Sequence, residues 1–156
     1  MAAKNPEPES DREIVLTRVF DAPPDLVFEA WTNPKHVVHW WGPNGFTNTI
    51  HEMNVKPGGV WRITMHGPDG TNYPNRMDFE EVDRPKRLVY LHGDDGAGEH
   101  KPFHVTTTFD KQDGGTLVTL RLLLESADEK RRVVDFGAIE GGKQTLARLG
   151  EYLKSL

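Results

Sequence analysis

Residues 126–153, SADEKRRVVDFGAIEGGKQTLARLGEYL, carry a helical pattern that closes a chain otherwise rich in strands. Ser126 and Glu129 have the spacing of a capping box, and Ile139, Leu146, Leu149 and Leu153 recur at three-, four- and seven-residue intervals on one face. The segments ahead of it read as strands at Phe46–Val55, Val60–His66, Thr71–Val82, Arg87–His92, Phe103–Lys111 and Thr116–Glu125, separated by KPGG, GPDG, DRPK, GDDGAGEH and KQDGG. Gaps of hairpin length imply an antiparallel meander. Alternation gives it one apolar face: Trp61, Ile63 and Met65 oppose Arg62, Thr64 and His66, and Tyr73, Met77 and Phe79 share a side. The C-terminal stretch is the long apolar element left to cover that face. A twisted sheet curled around one long helix follows.

Upstream, EIVLTRVF (13–20) is a β-branched strand, and DAPPDLVFEAWT (21–32) and KHVVHWW (35–41) are two short helices divided by Asn33-Pro34. The first 12 residues are polar and proline-bearing and are expected to be a disordered tail, leaving 13–156 as a single domain. With no cysteine, disulfides, thiolate metal sites and a cysteine nucleophile are excluded. Nineteen basic and 24 acidic residues, in no long block, give −5 and no nucleic-acid footprint. No apolar run approaches the roughly 20 residues of a membrane span, and no signal peptide is evident, so cytoplasmic residence is the expectation.

Three stretches, FDAPPDLVFEAWTNPKHVVHWWGPNGF (20–46), NVKPGGVWRITMHGPDGTNYPNRMDFEEVDRPKRLVY (54–90) and FGAIEGGKQTLARLGEYL (136–153), resemble the domain family named after the activator of the heat shock protein 90 ATPase. That family belongs to the START-like and birch-pollen-allergen (SRPBCC, polyketide cyclase-like) superfamily. The resemblance implies an α+β helix-grip fold: a seven-stranded antiparallel sheet around a long C-terminal helix, with two small helices after the first strand. It implies a cavity between sheet and helix, and a stand-alone member, because only about a dozen residues precede the first strand. Met77 stands where relatives often carry glycine, and a larger side chain there narrows the space.

The residues expected to line that cavity are Trp61, Ile63, Met65, Met77, Phe79, Phe103, Val105, Leu120, Phe136 and Glu140, with Trp40 and Trp41 either closing the core or gating the mouth. Gly137, Gly141 and Gly142 weaken the helix by about 1 kcal/mol each relative to alanine. They mark close packing or a helix break, or else missing side chains that leave room for a guest. Binding of a small apolar or lipid-like molecule, without catalysis and without a cofactor, is the leading expectation. The alternatives are a cyclase, dehydratase or hydrolase using the same cavity, with Glu140 as the weak catalytic candidate beside Arg18, Arg62, Glu80 and His104, or a chaperone-associated partner. The domain is expected as a monomer or homodimer. His36 and His39 lack a third ligand at recognisable spacing, and His100 and His104 would lie about 13 Å apart on a strand, so no metal is expected. No G-x-S-x-G, P-loop or dinucleotide fingerprint occurs.

Overall fold

Proline places the first two helices. The computed structural model describes residues 8–95 and 101–156. In it α1 (Pro24–Thr32) and α2 (Pro34–Trp40) each carry proline in the first turn, where a missing N–H costs nothing. Asn33 stands between them, and its side-chain oxygen accepts from the Lys35 N–H at 3.0 Å.

Among the described residues, seven strands form one antiparallel sheet: β1 (Glu13–Phe20), β2 (Thr47–Met53), β3 (Val60–His66), β4 (Asn72–Asp83), β5 (Arg87–Asp94), β6 (Phe103–Gln112) and β7 (Gly115–Leu123). The order is β1-β7-β6-β5-β4-β3-β2, so β2 to β7 is the expected meander and β1 lies beside the last strand. Bounds agree with the sequence reading for β1 and β3 and differ by one or two residues at the ends of the others. Residues 8–12, expected as part of a tail, are held: Glu9–Asp11 form a 3-10 turn, and the Arg12 carbonyl accepts from the Leu124 N–H while its Nη1 donates to the Leu124 carbonyl. Residues 1–7 of that tail, and His100, lie outside the described residues.

The single long C-terminal helix is a correction. The segment is two helices, α3 (Ala127–Asp135) and α4 (Ala138–Leu153), with Ser126 capping the first by accepting from the Glu129 N–H at 3.0 Å. The break is at Gly137, whose φ of 102° is left-handed and closed to most side chains. Its neighbour in function is Gly142. A Cβ there would stand 2.4 Å from Leu16 Cδ1, so the missing side chain admits a β1 leucine and leaves no vacancy. Gly141 similarly faces Pro43, at 3.4 Å from its Cγ. The glycines therefore serve a break and close packing, not a cavity. Gly142→Ala should be destabilising by about 1 kcal/mol, because the overlap with Leu16 outweighs the gain in helix propensity. Denaturant unfolding checks this, and a more stable variant would show that Leu16 yields freely.

Leu146, Leu149 and Leu153 form the buried stripe of α4, which rests on β1, α1 and α2. The helix thus grips one end of the sheet. The middle of the concave face is covered by other means.

Candidate functional site

Cross-strand register arranges the concave face in rows. Trp61, Met77, His92 and Phe103 are successive partners across β3–β6. The next row holds Phe79, Tyr90, Val105 and Leu122, and the one beyond it Leu88, Thr107, Leu120 and Leu16. On the other side of the Trp61 row lie Ile63, Asn75 and Asp94, and then Met65 and Tyr73. Trp61, Ile63, Met77, Phe79 and Val105 are buried, whereas Met65, Tyr73, Asn75, His92, Phe103, Leu120 and Leu122 are only partly so. Eight of the expected wall residues therefore share one apolar face, and that face is covered unevenly.

What covers its closed part is aromatic. Trp31, Trp40, Trp41 and Trp61 form an edge-to-face chain with centroid separations of 5.0, 5.4 and 4.7 Å. Phe109 joins it from β6 at 5.6 Å from Trp31. Trp40 donates from Nε1 to the Ala30 carbonyl at 3.0 Å. Both Trp40 and Trp41 are buried in this plug, so of the two expected roles they take core closure. Within the plug the Tyr90 hydroxyl faces Trp31 and Thr107, and burial pushes its pKa well above the usual phenol value. The Tyr90 hydroxyl stays neutral at any physiological pH. The Trp61 Nε1 atom is buried without a hydrogen-bond partner among the described residues.

Arg148 on α4 locks the plug to the helix. Its Nη1 donates to the carbonyls of Trp41, Gly42 and Pro43 at 3.1, 2.8 and 2.9 Å, and Nη2 to those of Phe46 and His39 at 3.1 and 3.3 Å. Burial draws its pKa down, yet a guanidinium remains charged. Close by, His36 Nδ1 meets the Tyr152 hydroxyl at 2.6 Å and His39 stacks on the same ring, so α4 supplies the partner these two histidines share.

The polar residues expected inside are elsewhere. Glu140 is exposed and reaches only Gln144 at 3.5 Å, because α4 turns that position away from the sheet. Its carboxyl therefore does not line a space between sheet and helix, as expected of it. Phe136 is 81% exposed at the α3–α4 break and lines no enclosed space. His104 and Glu80 pair with each other at 3.1 Å, and Arg62 pairs with Asp95 at 2.9 Å. Arg18 is exposed, its guanidinium 5.9 Å from the Phe20 ring. A groove of about 490 Å³ lies on the opposite, convex face, where Leu91, His104 and Leu123 form a row, flanked by Arg12, Lys101 and Glu125.

Among the titratable groups on the concave side is His92, which the sequence reading passed over. Asn75 donates from Nδ2 to the Tyr73 carbonyl at 2.9 Å, which turns its Oδ1 to His92 Nε2 at 3.0 Å. This network assigns the proton to Nε2 and leaves Nδ1 as an acceptor. The ring stacks on Phe103 with centroids 4.8 Å apart. Burial pushes its pKa down to about 4, against a smaller upward pull from Asp94.

The family model described as Activator of Hsp90 ATPase homolog 1-like protein matches residues 21–154. The chain belongs to that family. Among solved structures, protein Ms6760 from Mycobacterium smegmatis shares 26% identity over 92% of this chain and 91% of its own, with a TM-score of 0.84. A protein from Arthrobacter aurescens is 22% identical over 96% and 90% of the two chains, with a TM-score of 0.87. The AHSA1 protein from Silicibacter pomeroyi is 21% identical over 91% and 97%, with a TM-score of 0.75. The last two likenesses speak to the fold alone. No curated protein matches the chain. Membership of the Activator of Hsp90 ATPase homolog 1-like family supports a ligand-binding fold, and no helix among the described residues is long and apolar enough to cross a membrane.

In this Activator of Hsp90 ATPase homolog 1-like domain, the WWGP stretch supplies the plug and the carbonyls held by Arg148. Nothing local in the sequence signals that collar, since its donor and acceptors are 102 to 109 residues apart. His92 did carry a signal: two residues beyond Tyr90 and four beyond Leu88, it shares their face by strand parity.

Proposed function

We propose that this domain binds a small, largely apolar molecule on the half-covered part of the concave face, without transforming it. The observation that carries this is the uneven cover. Beyond the tryptophan plug, Met65, Phe103, Leu120 and Leu122 keep water contact on a face that is otherwise core. Burying them under a guest gains about 25 cal/mol per Å² of apolar surface. Methionine at position 65 suits guests of variable shape. The placement of Glu80, His104, Arg62 and Glu140, each on an exposed or convex position with its own neighbour, favours binding over acid–base chemistry.

Thermal unfolding against neutral aromatics, lipids and polyketides tests the reading. At tenfold excess over Kd a guest adds about 1.4 kcal/mol, a shift of about 3–6 °C for a domain of this size. Met65→Trp should fill the opening and abolish the shift while leaving the unliganded midpoint near its original value. A uniformly flat screen would overturn the proposal.

A further inference from the structure

His92 sits in the row with Trp61, Met77 and Phe103, where cover gives way to partial exposure. Its ring is fixed on two sides, by Asn75 at Nε2 and by the Phe103 face. Among the described residues Nδ1 has no hydrogen-bond partner. A held, neutral imidazole nitrogen is a directional acceptor, and the apolar positions around it, Met77, Phe103 and Ile63, offer nothing to donate. We infer that the concave site selects a neutral apolar guest bearing a hydroxyl or N–H donor, which it gives to His92 Nδ1; this rests on the binding reading above.

The chemistry sorts the alternatives. An ether or ketone of the same shape brings another acceptor and leaves Nδ1 unpaired, which a site of this kind penalises. A carboxylate would place its lone pairs against that of Nδ1 and lose its hydration. The imidazole is an acceptor here and not a base, because a nitrogen held near pKa 4 is too weak to take a proton from an alcohol. His92 is thus a specificity residue for binding.

The experiment compares naphthol with its methyl ether, by calorimetry or thermal shift, on the full chain and on His92→Phe, which retains a flat ring but has no acceptor. Wild type should bind naphthol about tenfold more tightly than the ether, a margin that one neutral hydrogen bond supplies. In His92→Phe that preference should vanish while ether binding persists. Equal binding of both probes by wild type, or a preference unchanged in the variant, overturns this inference and leaves the binding reading intact. Failure of both probes to bind wild type overturns the two together. Should His92→Phe not fold, the His92 Nδ1 nitrogen resonance of wild type decides: it shifts upfield as naphthol saturates the site, and an unmoved signal at saturation refutes the assignment.

Discussion

Arg148→Ala is expected to destabilise the domain by about 2–3 kcal/mol, the range for removing the charged donor from a partly buried hydrogen-bond set. The guanidinium serves five carbonyls from His39 to Phe46, the turn that carries Trp40 and Trp41 out of α2. Two of those carbonyls have a second donor, Trp41 O from Asn48 Nδ2 at 2.8 Å and Pro43 O from the Phe46 N–H at 3.2 Å, while Gly42 and Gly45 at positive φ keep the chain there irregular. Without Arg148 the carbonyls of His39, Gly42 and Phe46 must find water, and the opening that admits it also admits water to the plug. Arg148→Lys should recover only part of the loss, since one ammonium cannot span five acceptors in the planar fork of the arginine. Urea unfolding of the three proteins reads this directly. A loss under 1 kcal/mol for the alanine variant would mean that the turn is held by its own packing and the arginine is incidental.

The contrast between Arg148 and Trp61 explains what could be read in advance. Trp61, Ile63 and Met65 were legible because strand alternation is a local, period-two signal, and the structure places them on one face. Ser126 was legible because a cap and its N–H lie three residues apart. The break in the last helix was half legible: three glycines in FGAIEGGKQ announce weakness, but only the backbone at Gly137 decides which one turns left-handed. Glu140 was misplaced for the same reason. Its face depends on the start and rotation of α4, and those follow from Gly142 meeting Leu16, a contact across 126 residues. Arg148 was illegible outright, since its acceptors are backbone atoms that any sequence would possess. His92 is the instructive case, because it already lies inside the strand read as Arg87–His92 and parity with Leu88 and Tyr90 puts it on their face.

Acidification from pH 6.5 to about 4 should cost the wild-type domain up to about 3 kcal/mol through His92 alone, and His92→Phe should abolish that part of the slope. The native imidazole stays neutral down to about 4, whereas in the unfolded chain it titrates at its ordinary 6.5. Between those values the unfolded state holds more protons, so stability rises with pH across the window and is lost as pH falls through it. The figure is the difference of the two values at 1.36 kcal/mol per unit, and the ring's remaining contact with water lowers it. The groups facing His92 give little relief: Asn75 from β4 and Phe103 from β6 are neutral. Asp94, two residues along β5, pulls the pKa upward but is itself near Arg132 of α3. Carboxylates with lowered pKa act lower on the scale. Glu29, held by Asn33 and Arg84, contributes stability that is present above its ordinary 4.5 and lost only below it. Unfolding midpoints of wild type and His92→Phe, measured from pH 7 to 4.5, should therefore converge steadily toward acid if the variant begins less stable, or cross if it begins near parity. Parallel curves would show that the native imidazole accepts a proton as readily as the unfolded one, and that the open part of the concave face is already wet at His92.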